Sequence, residues 1–307
     1  MARITYTVPG WAARFGIFSH KARRGHTKPT VFLNGEFVPY EQAVIPVEDR
    51  GFIFADGIYE VIRVYGGKLF RAEDHMARLQ RSAAAIRLPL PMSTSDLLQA
   101  AGELVRRDGL DEASIYLEIT RGPAPRTHTF PAEVHPTVVG FARPVSAPAP
   151  NYIENGASAI TLPDERWLRC DVKSVGLLLN TLAKQKAVEQ GAYDALFIRD
   201  GYLTEATSSN AMAVFGGKIY THPLNHLVLP GITRKVVLEL CDKLGIPVVE
   251  EAVPAAELVR ADEVFITGTV TEVLAITTLD GRPVGNGKPG PVFRQLHEAF
   301  VRYSRGE

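Results

Sequence analysis

The pattern of apolar and polar residues after residue 30 predicts strands and helices mixed along the chain. Val31–Leu33 and Glu36–Pro39 are short apolar-rich runs, and the Asn34-Gly35 dipeptide between them favours the tight turn of a β-hairpin. Apolar residues then recur at strand spacing or at helical spacing in a further series of segments. We predict strands at 58–65, 114–121 and 137–143, and helices at 73–86 and 95–107.

A proline-rich stretch divides this pattern into two blocks. Residues 144–150 contain three prolines, which is typical of a stiff, non-helical linker. Beyond it we predict strands at 158–162, 194–199, 211–215, 218–220, 263–267 and 273–278, and helices at 174–190, 231–244 and 290–303. The chain is therefore predicted to be an α+β protein with a small domain at 31–145, a linker at 146–152 and a large domain at 153–307.

Composition narrows the classes of partner and compartment. Lys and Arg together number 34, as do Asp and Glu, so the net charge gives no reason to expect nucleic acid or a membrane surface as a partner. No apolar run approaches the roughly 18 residues of a membrane-spanning helix. Two cysteines, Cys170 and Cys241, are too few for a disulfide framework. We expect a cytoplasmic protein without a metal ion.

The N-terminal segment differs from the rest of the chain in charge. Residues 1–29 contain six Lys or Arg residues and no acid. Such a segment resembles a transit peptide, but it lacks serine richness and contains Pro9 and Trp11. We favour a basic surface arm over residues 1–30.

Lys173 and Glu205 are the first candidates for chemistry. Lys173 lies in a mainly apolar run, Cys170–Asn180, where an amine loses its charge more easily and becomes a nucleophile. The same pattern also suits a lysine whose head reaches water from a strand end. Glu205 precedes the polar run 206–210, and a turn or helix cap is the simpler explanation for it. Together, an amine and a fixed carboxylate are what pyridoxal phosphate requires of a protein.

Two glycine-containing loops are candidates for binding an anion. Gly231 precedes Ile232, Thr233 and a predicted helix, whose first backbone N–H groups are free to bind phosphate. The loop 267–271 is also rich in small hydroxyl residues. Each loop alone is equally compatible with an ordinary helix start or turn, whereas two in one domain favour an anion site.

Three further cationic residues are candidates for binding a phosphate or carboxylate. Arg78 lies on a predicted helix, where a solvent-exposed charge is the alternative. Arg126 and His128 lie two residues apart in a Pro- and Gly-rich loop, and an Arg fork beside an imidazole suits one carboxylate. A surface loop with two unrelated polar residues explains them equally well.

The order of these motifs resembles the fold type IV pyridoxal-phosphate enzymes, the class IV aminotransferases. The resemblance covers roughly residues 31–302. Its motifs are Tyr59, Arg78, Arg126-x-His128, Lys173, Glu205, Ile232-Thr233 and Gly268-Thr269. Within this family the chain most resembles the D-amino-acid aminotransferases, in the segments 54–60, 126–128 and 166–174.

The resemblance implies a role for each residue. It implies that Lys173 binds pyridoxal 5'-phosphate covalently and later carries the substrate proton, and that Glu205 keeps the ring nitrogen protonated. The phosphate would be bound by Arg78, Ile232, Thr233 and Thr269, with Ser208 near the ring. The carboxylate of the substrate would be bound by Tyr59, Arg126 and His128.

The resemblance also implies an activity and an assembly. The expected enzyme moves the amino group of a D-amino acid to a 2-keto acid by a ping-pong mechanism. The family completes its active site across a homodimer, so Arg126 and His128 are expected to serve the partner's site. The alternatives are an R-selective amine transaminase, a branched-chain L-amino-acid transaminase and, from a different class, an aminodeoxychorismate lyase.

Overall fold

Residues 29–306 fold into two sheets, each covered by helices. The structure is a computed structural model that describes residues 29–306, so residues 1–28 of the predicted basic arm lie outside the described residues. Helices and strands are mixed along the chain, which confirms the predicted α+β class. Within residues 29–306, no helix has both the length and the apolar character to cross a membrane.

The first sheet is antiparallel and contains the predicted hairpin. Its strands are β1 (Thr30–Leu33), β2 (Glu36–Pro39), β3 (Gly57–Tyr65), β4 (Lys68–Leu69), β5 (Ala113–Thr120) and β6 (Thr137–Pro144). Their order across the sheet is β2-β1-β6-β5-β3-β4. Asn34 and Gly35 both have positive φ, 50° and 96°, as the predicted two-residue turn requires.

Helices cover one face of this sheet and leave the other face half-exposed. The helices of this block are α1 (Arg50–Phe54), α2 (Ala72–Ala85) and α3 (Thr94–Asp108). Ile58 and Ile62 of β3 are buried against Leu79 of α2 and Leu97 of α3. Because side chains alternate along a strand, Tyr59 lies on the opposite face, which is the face that contributes to the site described below.

The second sheet closes on itself. Its strands are β7 (Ala157–Pro163), β8 (Asp194–Arg199), β9 (Tyr202–Ala206), β10 (Asn210–Phe215), β11 (Lys218–Thr221), β12 (Val248–Val249), β13 (Glu263–Gly268), β14 (Glu272–Leu279) and β15 (Arg282–Pro283). Their order is β12-β11-β10-β13-β14-β7-β8-β9, and β9 also pairs with β10 through Glu205 and Asn210. The strands from β10 to β9 therefore form a closed barrel, and a predicted site residue lies at its closing pair.

Four helices belong to this second block. They are α4 (Pro150–Asn155), α5 (Leu178–Glu189), α6 (Ile232–Leu244) and α7 (Pro291–Arg305). Val236 of α6 and Phe300 of α7 share a buried cluster with Phe265 of β13. Residues 145–149 connect β6 to α4, and the domain limits 31–145, 146–152 and 153–307 stay a prediction.

The predicted helix at 174–190 begins later than expected. It starts at Leu178, because Ser174 forms an isolated bridge with Ile58 and the N–H of Val175 donates to the carbonyl of Gly57, at 3.2 Å. Residues 173–175 thus run alongside the start of β3 and are joined to it by one isolated bridge. This pairing ties the segment that contains Lys173 to the first sheet.

Candidate active site

A cavity of about 490 Å³ lies between the two sheets and collects most of the predicted site. Eight of the ten predicted residues line it: Tyr59, Arg78, Lys173, Glu205, Ser208, Ile232, Thr233 and Thr269. The remaining two, Arg126 and His128, do not line it. Tyr59 and Arg78 come from the first block of the chain and the other lining residues come from the second, so the cavity depends on both.

Lys173 is fixed through its backbone and half-buried. Its carbonyl accepts from the N–H of Tyr59 at 3.0 Å, and its own N–H donates to Ser82 Oγ at 3.2 Å. The ammonium nitrogen lies 4.1 Å from the centroid of the Tyr59 ring. The side chain therefore projects into the cavity from a backbone that β3 and α2 hold.

Glu205 is buried, and its carboxylate accepts from three groups. Arg166 Nη1 donates to Oε1, and Asn210 Nδ2 and the N–H of Leu229 each donate to Oε2 at 3.0 Å. Arg166 is held in turn by Asp164, to which its Nε and Nη2 donate at 2.8 Å. Burial raises the pKa of Glu205 above its ordinary value, and the Arg166 guanidinium acts in the opposite direction. This carboxyl is therefore suited to sharing a proton with a basic nitrogen beside it.

Sequence reasoning missed the residues that orient Glu205. Asp164 and Arg166 precede Lys173 by only a few positions, and Arg166 belongs to the segment 166–174 that carried the family resemblance. The signal available was two opposite charges two residues apart beside a predicted strand, which is common on protein surfaces. Only the fold shows that Arg166 is 8% exposed and directed at Glu205.

Arg78 belongs to a buried charged group that the sequence also did not reveal. Its Nε and Nη2 donate to the two oxygens of Glu60 at 2.8 and 2.7 Å, and Nη1 donates to the carbonyl of Pro230 at 3.1 Å. His75 Nδ1 lies 2.7 Å from Glu60 Oε2. Since Pro230 precedes the first residues of α6, this group connects α2 to the start of that helix. Arg78 is thereby fixed at the cavity wall.

Protonation in this group follows from burial and charge. Although burial acts to raise it, the Arg78 guanidinium lowers the pKa of Glu60 to about 2. Burial lowers the pKa of His75 below its ordinary value, so His75 is neutral near pH 7. An ionised carboxylate only accepts hydrogen bonds, and Nδ1 of His75 therefore carries the proton.

Glu60→Gln is expected to lose less free energy of unfolding than the wild type when the pH is lowered from 7 to 3. The folded-state pKa of Glu60, about 2, lies below its ordinary value of 4.5. The ionised carboxylate therefore stabilises the fold fully above its ordinary pKa, and this contribution is lost as the pH falls toward the folded-state value. The contribution is ~3 kcal/mol in the free energy of unfolding. Urea unfolding at pH 7 and pH 3 measures it.

The matched control is Glu298→Gln, because Glu298 forms an exposed ion pair with Arg302. The wild type and the control should lose similar amounts of stability between the two pH values, and Glu60→Gln should lose less. An equal loss in all three proteins would show that Glu60 is not held ionised by Arg78.

The start of α6 and the loop after β13 form a wall with unsatisfied donors. The first N–H groups of a helix have no acceptor within it, and no side chain caps α6 at Gly231. A Cβ at Gly231 would lie 2.0 Å from Asn210 Oδ1, so only glycine allows this close approach. Within the described residues, the buried Ser209 Oγ and Thr267 Oγ1 also have no hydrogen-bond partner. This wall can bind an anion.

Arg126 and His128 lie together, but away from the cavity of their own chain. Both are exposed in the loop that follows β5. The ring of His128 lies 5.6 Å from that of Phe54, and the guanidinium carbon of Arg126 lies 5.4 Å from the same ring. The structure thus pairs these two residues around Phe54 and does not bring them to Lys173 of the same chain.

Comparison with known proteins gives a consistent set of relatives. The sequence profile of the family described as amino-transferase class IV matches residues 57–279. D-alanine aminotransferase of Bacillus licheniformis is 46% identical over 274 residues, which cover 88% of this chain and 95% of the relative. The protein of the same name from Staphylococcus haemolyticus is 45% identical, with 89% and 97% covered.

Two solved structures with a similar fold are branched-chain amino acid aminotransferases. That of Escherichia coli has a TM-score of 0.86 and 29% identity, over 92% of this chain and 96% of the other. The T.th. enzyme with pyridoxamine 5'-phosphate has a TM-score of 0.85 and 30% identity, over 92% and 95%.

Proposed function

The chain is a member of the class IV aminotransferase family, and from this premise we propose that it transfers the amino group of a D-amino acid to a 2-keto acid with pyridoxal 5'-phosphate. The motif order predicted this family, and the profile match over residues 57–279 confirms it. The observation that carries the proposed chemistry is the shared cavity that holds Lys173, Glu205 and the start of α6. The D-amino-acid class is supported by the D-alanine aminotransferases among the relatives.

The residues of the cavity fit pyridoxal phosphate. The buried hydroxyls of Ser209 and Thr267, which lack partners within the described residues, can donate to an anion at the wall formed by α6. The N–H groups of Ile232 and Thr233, with Arg78 and Thr269, would hold the phosphate there. Ser208 would contact the ring. When bound, the cofactor supplies a carbonyl carbon that takes up the amino group and a ring that stores the electron pair released at the substrate α-carbon.

The protein supplies covalent attachment, proton transfer and charge. Lys173 Nζ is the nucleophile that binds the cofactor, and once free it accepts the proton of the substrate α-carbon as a general base. Its backbone contacts with Tyr59 and Ser82 hold the amine in place between these two tasks. Glu205, oriented by Arg166 and Asn210, would keep a proton on the ring nitrogen and so favour electron flow into the ring.

The site for the substrate carboxylate would be formed by two copies of the chain. Tyr59 lines the cavity, whereas Arg126 and His128 are exposed outside it. We assign these two to the cavity of a partner subunit in a homodimer. Large apolar side chains are exposed near this loop and at the cavity rim, which suits a second copy: Val44, Val47, Phe52, Trp167, Leu168 and Leu178. The side from which the carboxylate is held relative to Lys173 would select the D-enantiomer.

A branched-chain L-amino-acid transaminase is the second candidate. It is favoured by the solved structures of similar fold, which have 29% and 30% identity to this chain. This function comes second because the identity to a D-alanine aminotransferase is higher, at 46%. Assays with D-alanine and with L-leucine, each with 2-oxoglutarate as acceptor, discriminate between the two functions.

Arg126→Ala is expected to weaken binding of carboxylate substrates while leaving the cofactor in place. Loss of a charged hydrogen bond costs about 1.5–3 kcal/mol, so kcat/KM for D-alanine should fall by roughly 10- to 150-fold. Steady-state kinetics with D-alanine and 2-oxoglutarate measure it. Arg106→Ala is the control, since Arg106 pairs with Glu103 on the surface of α3. Kinetics like those of the wild type in Arg126→Ala would remove Arg126 from the carboxylate site.

A further inference from the structure

The loop with Arg126 and His128 is exposed at its tip but rests on buried charges. Arg50 of α1 is 3% exposed and Arg121, at the end of β5, is 2% exposed. The carboxylate of Asp56 lies between the two guanidinium groups. Burying two cations and one anion costs desolvation free energy unless their hydrogen bonds are satisfied. The hydrogen-bond partners of these three groups therefore show which parts of the chain they hold in place.

Asp56 joins the two arginines. Arg50 Nε and Arg121 Nε each donate to Asp56 Oδ2 at 2.8 Å, and Arg121 Nη2 donates to Oδ1 at 2.9 Å. Although burial acts to raise it, Arg121 and Arg50 lower the pKa of Asp56, so the carboxylate is ionised at neutral pH. We call Arg50, Asp56 and Arg121 the clasp.

Arg50 then reaches the loop at the point between its two candidate ligands. Its Nη1 donates to the carbonyl of Thr127 at 2.7 Å and to that of Thr129 at 3.4 Å. Thr127 is the residue between Arg126 and His128, and Thr129 follows His128. The Thr127 carbonyl belongs to the peptide group that joins Thr127 to His128, so Arg50 fixes the loop backbone directly before His128 and one residue after Arg126.

Arg121 fixes the far side of the same loop. Its guanidinium carbon lies 3.8 Å from the centroid of the Phe130 ring, which follows His128 by two residues. Nη1 and Nη2 also donate to the carbonyls of Arg87 and Ile86, just after α2, at 2.9 Å each. The loop is therefore attached to the same helix that contains Arg78.

The clasp also fixes the backbone that leads into β3, the strand that contains Tyr59. Asp56 precedes Tyr59 by three residues, and its carbonyl accepts from the N–H of Arg121 at 3.0 Å. The N–H of Asp56 donates to the carbonyl of Arg50 at 3.2 Å. One buried charged group thus sets the start of β3 and the loop with Arg126 and His128.

We propose that Arg50, Asp56 and Arg121 are positioning residues that hold the Arg126–His128 loop ready to bind the substrate carboxylate. Arg50 and Arg121 are 3% and 2% exposed, and their guanidinium groups donate to Asp56 and to backbone carbonyls, so they act through the loop rather than on the substrate. The proposal rests on the proposed function, because it needs Arg126 to bind the carboxylate. A misplacement of about 1 Å in a positioning element can cost up to roughly 10²-fold in rate, so a loose loop should be measurable.

The test is a double-mutant cycle between Arg50→Lys and Arg126→Ala. Lysine keeps the charge beside Asp56 but cannot reach the carboxylate and two carbonyls at once. In single-turnover reactions with D-alanine, Arg50→Lys should raise the apparent Kd about 10-fold with little change in the saturating rate. In the Arg126→Ala background the same change should have a smaller effect, because one of the two ligands that the clasp positions is gone.

Matched variants separate a positioning role from loss of stability. Asp56→Asn should give the same rise in apparent Kd and serves if Arg50→Lys does not fold. Arg106→Lys, the same exchange at an exposed pair on α3, should leave the apparent Kd unchanged.

An unchanged apparent Kd in both clasp variants, or an Arg50 effect of undiminished size in the Arg126→Ala background, would overturn the proposal alone. An unchanged apparent Kd in Arg126→Ala itself would overturn both the clasp and the carboxylate site of the proposed function.

Discussion

Lys173→Ala is expected to lower the rate of transamination with D-alanine and 2-oxoglutarate by roughly 10⁴-fold or more. The variant loses the nucleophile that binds the cofactor and the general base that moves the α-proton, and a general base alone contributes roughly 10²–10⁴-fold. The fold should survive, because the contacts that fix this segment are made by the backbone of Lys173. Steady-state rates and the thermal midpoint measure the two effects separately.

A covalent label identifies the residue directly. Borohydride reduction of the wild type followed by peptide mass spectrometry should place the cofactor on Lys173, and the variant should carry none. Lys186→Ala is the matched control, because Lys186 is exposed on α5 and does not line the cavity. Transamination near the wild-type rate in Lys173→Ala, or a label on another lysine, would contradict the assignment.

Glu205→Gln is expected to have the second largest effect, a fall in kcat of roughly 10²-fold or more. Glutamine keeps the size of the side chain and an oxygen for the Arg166 hydrogen bond, but it loses the negative charge that holds the ring nitrogen protonated. The buried Arg166 would then be balanced by Asp164 alone, so a lower thermal midpoint is expected as well. Single-turnover rates at saturating D-alanine measure the catalytic effect.

Glu205→Asp separates charge from shape. It retains a carboxylate but shortens the reach to Arg166 and Asn210, so it should keep more activity than Glu205→Gln. If Glu205→Gln reacted at the wild-type rate, or if the aspartate variant were the weaker of the two, the charge of Glu205 would not be what supports the reaction.

The sequence indicated the residues that carry the chemistry better than it indicated the residues that orient them. Lys173 and Glu205 were candidates as an amine in an apolar run and a carboxylate beside small polar residues, the order of motifs assigned their roles, and both line the cavity. The partners that orient them depend on the fold. Glu60 lies in a strand of alternating residues, and the sequence does not show whether its side chain points to the core or to solvent. Only the packing of α2 shows that Glu60 is fully buried beneath Arg78.

Local patterns predicted most elements but not how they join. The strand β9, Tyr202–Ala206, escaped prediction because it is short and ends in Glu205 and Ala206, residue types that are depleted in strands. Its pairing with β10, which closes the barrel, is a long-range property that no period in the sequence encodes. The late start of α5 has the same cause, since the apolar residues after Lys173 satisfy a helical pattern although the first of them pair with β3.

The role of the loop with Arg126 and His128 is not evident from a single chain. The resemblance assigned Arg126 and His128 to the carboxylate of the substrate, and the structure places them outside the cavity of their own chain. Their hydrogen-bonded support by Arg50 and Arg121 was not visible in the sequence, because these arginines lie in separate segments that the fold brings together at Asp56. Assignment to a partner subunit reconciles the two observations.

The most direct test of the central claim is a half-reaction followed by absorbance. The protein with pyridoxal phosphate bound is mixed separately with D-alanine, L-leucine and (R)-α-methylbenzylamine, and the visible band of the cofactor is monitored. A D-amino-acid transaminase should lose this band with D-alanine and release pyruvate, with little change for the other two compounds. Loss of the band with L-leucine or the amine, and not with D-alanine, would contradict the proposed substrate class and the carboxylate role of Arg126 and His128.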